Sequence, residues 1–150
     1  MGLDCSHNAF HGAYGAFNRL RQEVCRAMGG SFPPHWKYNE SGDIEIDDGG
    51  LATRNTELED GFWYSGDGYD EESHPGLYEF LKHSDCDGEI SPEMCAKVAD
   101  ELEAILPKVE SLNSKAYGHI AASGGYSSTL KQFIAGCRAA ALAGEPLKFY

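Results

Sequence analysis

A chain of 150 residues is long enough for one domain with a real hydrophobic core. Its 24 acidic residues against 12 Lys and Arg give a formal charge of −12, which argues against a long nucleic acid or an anionic membrane surface as partner. Hydrophobic residues at 41% and aromatics at 11% are too many for a disordered acidic tail, and no apolar run approaches the ~20 residues of a membrane span. The N-terminus lacks the basic-then-apolar layout of a secretory signal, so a soluble, cytoplasmic protein is expected.

In chain order, Phe10, Tyr14, Phe17, Leu20 (or Arg21), Val24 and Met28 recur every three or four residues and predict a helix stopped by Gly29-Gly30. Ser6 or Asn8 is placed to cap its start. Residues 39–72 then hold twelve acids against one base, Arg54, together with six of the 18 glycines. The remainder of the chain is close to neutral, so the acidity belongs to an insertion. Such a block is a solvated segment, an acidic wall over a site, or a patch for a basic partner. Within it, Asp43-Ile44-Glu45-Ile46-Asp47 alternates with period two, Asp48-Gly49-Gly50 supplies a turn, and Phe62-Trp63-Tyr64 reads as a second strand.

After Pro75, Leu77, Phe80 and Leu81 share one face of a short helix, with Asp87-Gly88 closing that stretch. Ser91-Pro92 offers a cap and a first-turn proline for the next helix. Its stripe, Met94, Val98, Leu102, Ile105, Val109 and Leu112, is the strongest in the chain. Pro107 is expected to end or kink it, since proline lacks an amide hydrogen and its ring clashes with the preceding turn. Ala121-Ala122-Ser123-Gly124-Gly125 reads as a loop, and Leu130, Phe133, Ile134, Cys137 and Ala141 as a last helix stopped by Gly144 and Pro146. Leu147-Lys148-Phe149 reads as extended and suited to pair with Gly2-Leu3-Asp4-Cys5. These elements predict an α+β fold: a mainly helical single domain over 1–150, with about four helices, a small antiparallel sheet or hairpin and the acidic insertion 39–72.

The five cysteines, Cys5, Cys25, Cys86, Cys95 and Cys137, are odd in number and contain no Cys-x-x-Cys, which fits a reducing compartment. Cys25, Cys95 and Cys137 fall near apolar helix faces, where a free thiol acts as a small hydrophobe. Cys5 and Cys86 lie among His and Asp residues.

Ligand-type side chains are densest at His83-Ser84-Asp85-Cys86-Asp87-Gly88-Glu89-Ile90, between two predicted helices. Asp85, Asp87, Gly88 and Ile90 match positions three, five, six and eight of a calcium hand, but His83 stands at the first position and Met94 at the twelfth. Imidazole with carboxylates suits a softer divalent metal instead, while Asp-Gly is also ordinary turn chemistry. Asp4, His7 and His11 form a second set. If the first helix includes residue 7, His7 and His11 lie one turn apart, as metal-ligating pairs do, although two surface histidines have the same spacing. Were the His83 turn to fold against them, His7, His83, Asp85 and Asp87 would be the metal ligands, with Asp4 and His11 beside them. Ser123-Gly124-Gly125-Tyr126-Ser127-Ser128-Thr129 is a third candidate. Glycines and hydroxyls at a helix N-terminus hold phosphate through backbone amides, with Ser127, Ser128 and Lys131 as the contributing side chains. The Gly-Lys-Ser/Thr ending of a Walker loop is missing, and a plain capped loop has the same composition.

The opening Met1-Gly2-Leu3-Asp4-Cys5-Ser6-His7, the central His83 to Ile90 motif and the ending from Phe133-Ile134-Ala135-Gly136-Cys137 through Gly144-Glu145-Pro146-Leu147 together resemble a group of short uncharacterised proteins of bacterial genomes, phages and prophages. The resemblance covers both ends and the centre, and transfers no catalytic residue. It implies an accessory role: binding a small polar ligand, of which a nucleotide-derived immune signal is one class, by analogy alone. Two other functions fit the residues: a metal-dependent hydrolase with His7, His11, His83, Asp85 and Asp87 as ligands and Glu89 as base, and a protein-binding module acting through the acidic segment. Homo-oligomerisation is left open.

Overall fold

The computed structural model describes residues 2–33, 36–38, 40–41, 44–46, 56–58, 61–63, 65–112, 116 and 118–150. The expected mainly helical α+β architecture is present: among the described residues there are five α-helices, one more than the four or so expected, with short antiparallel strand pairs. Much of the acidic segment, including Asp48-Gly49-Gly50 and Tyr64, lies outside the described residues.

The chain opens with β1 (Gly2–Asp4), a 3-10 turn over Ser6–Asn8, β2 (His11–Ala13) and α1 (Tyr14–Ala27). The first helix thus starts four residues later than its apolar spacing implies. Residues 11–13 extend to pair antiparallel with 2–4, in the register Gly2↔Ala13 and Asp4↔His11. Phe10 is buried by this turn rather than by a helix face. Neither Ser6 nor Asn8 caps α1, whose N-cap is Ala13 without a side-chain bond. The end of the helix is as expected, with Met28 at the C-cap and Gly29 at φ 82°.

β3 (Trp36–Tyr38) pairs with β4 (Ile44–Ile46), and β5 (Thr56–Leu58) with β6 (Gly61–Trp63). Both predicted strands are therefore strands, but each joins a local hairpin instead of the other. Past β6 the chain presses on the end of α1. A Cβ on Gly66 would stand 2.1 Å from the Met28 carbonyl oxygen, and Gly66 has φ 85°, so only glycine fits there.

α2 (Pro75–Lys82) and α3 (Pro92–Leu112) follow, joined by the 83–88 turn and β7 (Glu89–Ile90). Ser91 Oγ accepts the Met94 amide at 3.2 Å, capping α3 as expected. Pro107 does not stop α3, which continues to Leu112. Ile105 and Val109 are buried on either side of it, and their burial outweighs one missing backbone bond. The 121–125 loop is shorter than expected because α4 (Gly118–Ala122) takes its first two residues. α5 (Tyr126–Ala143) ends on Gly144 in the left-handed region.

α3 and α5 form the main helix pair, with α1 and α2 packed on it. Phe17 of α1, Phe80 of α2, Phe133 of α5 and Phe149 at the C-terminal end meet at the centre. Ring centroids are 5.7 Å apart for Phe17–Phe80, 5.1 Å for Phe80–Phe133 and 6.0 Å for Phe17–Phe149. Each such buried ring contributes about 1.5–3 kcal/mol. α5 also receives the N-terminal turn closely: a Cβ on Gly136 would lie 2.3 Å from Ala9 Cβ.

The C-terminal segment has two partners. β8 (Leu147–Lys148) pairs antiparallel with β7, a partner that periodicity in two-residue strands could not reveal. Beyond it, Cys5 and Phe149 form a bridge, and Asp4 and Tyr150 exchange backbone bonds of 2.7 and 2.8 Å, so only the end of the segment makes the expected pairing with the N-terminal strand.

Candidate functional site

The three motif segments of the sequence converge. The N-terminal turn and the His83 turn flank the same C-terminal segment: Asp4 pairs with Tyr150, while the His83 ring lies 4.2 Å from the Phe149 ring. The convergence does not make a metal cage. Among the described residues, no three His, Cys, Asp or Glu side chains are arranged to hold an ion.

His7 and His11 do not share a helix face. His7 sits in the 3-10 turn at φ 55°, and His11 is in β2. His7 Nε2 faces Glu145 Oε2 at 3.4 Å. His11 is held between Asp4 Oδ1, 2.7 Å from Nδ1, and Asn8 Oδ1, 2.8 Å from Nε2. Adjacent His7 and Asn8 both have positive φ, a conformation unfavourable for side-chain-bearing residues. The surrounding contacts hold it: Ser6 Oγ accepts the Lys148 amide at 2.8 Å, and the Asn8 carbonyl accepts from Gln132 Nε2 at 2.9 Å.

In the central motif, both His83 ring nitrogens face backbone carbonyls, Ser84 O at 2.8 Å and Glu89 O at 3.2 Å. That ring braces its own turn and does not project a lone pair towards Asp85 or Asp87. Ser84 Oγ accepts the Cys86 and Asp87 amides at 3.3 and 3.4 Å, so the turn is closed by local bonds. Asp87 is exposed. Asp85 is half-buried and accepts from Asn18 Nδ2 at 3.4 Å.

The charged group beneath this turn is Arg21, only 4% exposed. Its guanidinium lies 4.4 Å over the Phe17 ring and donates to the His83 carbonyl. Burial pulls it down to about 10, opposed by Asp85 and, less strongly, by Cys5. Its Nε has no hydrogen-bond partner. The apolar spacing leaves the core position open between Leu20 and Arg21, and the structure buries both. The signal for Arg21 was an arginine four residues after Phe17 on an apolar stripe. Burial also pushes the Cys5 thiol up to about 12.

The third predicted site is dispersed. Ser127 and Ser128 lie in the first turn of α5, whose N-cap is Gly125 without a side-chain bond. Lys131 does not turn back to that end: its Nζ is 3.4 Å from Glu110 Oε1 on α3.

A cleft of about 290 Å³ opens elsewhere, between the start of α2 and the middle of α3. Tyr69, Ser73, His74, Asp100, Glu101 and Lys108 bring polar groups to it, over Leu77, Ala104 and Ile105. The Tyr69 and His74 ring centroids are 4.7 Å apart, and Ser73 Oγ is 2.8 Å from His74 Nδ1. Lys108 Nζ donates to Tyr69 Oη at 3.1 Å. Glu101 reaches the N-terminus of α2 and accepts the Gly76 and Leu77 amides at 2.9 and 3.1 Å, satisfying donors that the helix itself leaves unpaired. Asp100 accepts from Arg138 at 2.9 Å. None of these residues belongs to a sequence motif. They become a set only because α2 crosses α3, and residues 69 and 108 are far apart along the chain.

No protein-family model, curated protein or solved structure matches this chain. Among the described residues, no helix is long and apolar enough to cross a membrane.

Proposed function

We propose that this chain is a small accessory protein that binds a small polar ligand, and that the α2–α3 cleft is the binding site. One observation carries the reading: both carboxylates of the cleft are already held by internal partners. Glu101 is on two helix amides and Asp100 is on Arg138, so neither needs a bound cation. What stays open to a ligand is the ring pair of Tyr69 and His74, the ammonium of Lys108 and the apolar floor. Convergent polar groups over an apolar surface are the usual make-up of a ligand site. The resemblance to short uncharacterised proteins of bacteria and phages, which implies an accessory role by analogy alone, is in keeping with this reading, and a nucleotide-derived signal is the ligand class to test first. The alternative of a hydrolase built on His7, His83, Asp85 and Asp87 has no such support, since His83 is engaged by backbone carbonyls.

Thermal-shift titration with nucleosides, nucleotides and aromatic acids tests the proposal. A ligand at a hundred times its Kd adds about 2.7 kcal/mol, which is roughly 5–10 °C for a domain of this size. The accompanying amide shifts by NMR are expected at residues 69–77 and 100–108. Absence of any stabilisation at millimolar ligand, or shifts confined to the 83–90 turn, refutes it.

A further inference from the structure

We propose that the α2–α3 cleft selects a ligand with one flat ring and a single negative charge. The inference rests on the binding reading above and narrows it to a chemical class.

Size sets the first limit. A cleft of about 290 Å³ is at the lower edge of the ~300–1,000 Å³ typical of ligand pockets. It has room for one ring system and one charged substituent, and too little for two nucleotides. Ring chemistry sets the second. Tyr69 and His74 stand at 52° to one another, so a planar ligand lies flat on one ring and meets the edge of the other.

Charge sets the third limit. Lys108 is the one permanent cation among the described lining residues, and its ammonium is already placed on Tyr69, 5.6 Å from the ring centroid. A ligand anion on Lys108 therefore sits beside the Tyr69 ring that stacks its flat part. A second anionic group meets no second Lys or Arg among the described lining residues. The Gly76 and Leu77 amides of α2 are occupied by Glu101, and Arg138 is committed to Asp100 and Glu103. Beside the lining residues Tyr69 and Ser73 in the chain, Asp70 is exposed and held below the usual carboxylate range by the Ser73 backbone and side chain, and Glu72 is exposed too. These exposed carboxylates add to the cost of a negative charge beyond the one that Lys108 balances.

Two kinds of molecule share this chemistry, a cyclic mononucleotide and an aromatic carboxylate. Calorimetric titration at low salt separates them, with 3′,5′-cyclic AMP, indole-3-carboxylate, uncharged adenosine, ATP and a cyclic dinucleotide as probes. One of the first two is expected to bind about tenfold more tightly than the other three, the effect of one charge-assisted contact. Lys108→Met should remove that advantage and Lys108→Arg should keep it. Lys108 is exposed, so both variants fold. Tightest binding by ATP, the dinucleotide or adenosine overturns the inference, as does a preference that survives Lys108→Met, while leaving cleft binding in place. No binding by any probe overturns both.

Discussion

Replacing Arg21 tests how a buried charge is tolerated at the meeting point of the motifs. The fall of its guanidinium from the ordinary arginine range to about 10 corresponds to about 3 kcal/mol of unfavourable burial. For a base with a lowered folded value, that penalty is fully present at neutral pH and is relieved only as pH rises past about 10. Arg21→Met removes it. The same change orphans the His83 carbonyl, at about 1–3 kcal/mol, and forfeits about 1–2 kcal/mol of contact with the Phe17 ring. The terms nearly cancel, so Arg21→Met is expected to fall between about 1 kcal/mol of stabilisation and about 2 kcal/mol of destabilisation. Arg21→Ala loses the same charge and also opens a cavity, adding about 2–3 kcal/mol. Urea denaturation with unchanged m-values measures both, and hydrogen exchange at the Phe149 amide, bonded to Gly88 O, reports on the turn. Equal losses for the Met and Ala variants would refute this account, because the charge and not the packed volume would then be what the site needs.

The fold makes three other demands that can be measured. Gly136→Ala would ordinarily stabilise a helix by about 1 kcal/mol, but its Cβ would collide with Ala9, so a net loss of about 1–3 kcal/mol is expected in thermal or urea unfolding; a gain would show that the N-terminal turn is not seated there. Glu101→Ala strips the α2 amides of their acceptor and should cost about 1–2 kcal/mol, whereas Glu101→Gln should recover part of it; equal stability of all three chains would show that the contact is idle. With Cys86 exposed and Cys5, Cys25, Cys95 and Cys137 buried, a disulfide reagent at pH 8 should titrate one thiol quickly and four only after denaturation. Cys5 sharpens this: its native thiol titrates near 12 and its unfolded thiol near 9, so its stabilising contribution is complete below pH 9 and fades as pH climbs to 12. Cys5→Ala should flatten that alkaline loss, seen as a denaturant midpoint that falls less between pH 8 and 10.

Helices with long apolar stripes were legible because their periodicity is dense. Val98, Leu102, Ile105 and Val109 were marked by spacing and are buried. Ser91 and Gly144 were legible as caps because their chemistry acts within a few residues. The start of α1 was not legible, since the pattern through Phe10 is equally satisfied by a turn that drops its ring into the core. The ligand-rich motifs marked segments that converge, without arranging an ion cage among the described residues. Asp4, His83 and Phe149 do meet, but His83 turns its nitrogens onto backbone oxygens, a choice made by the path of its own turn.

The sequence by itself determined the class of this protein: several amphipathic helices, a near-neutral body, and an acid-rich stretch confined to residues 39–72. Those are local properties, readable from period, caps and charge. Only the tertiary structure decided where a ligand could sit. Whether Asp100 and Glu101 repel an anion depends on Arg138 and on the amides of α2, partners that no local pattern announces. The net charge of −12 describes the chain as a whole, while the cleft answers to the few groups within hydrogen-bonding reach, where pairing and short distance outweigh distant, screened charge.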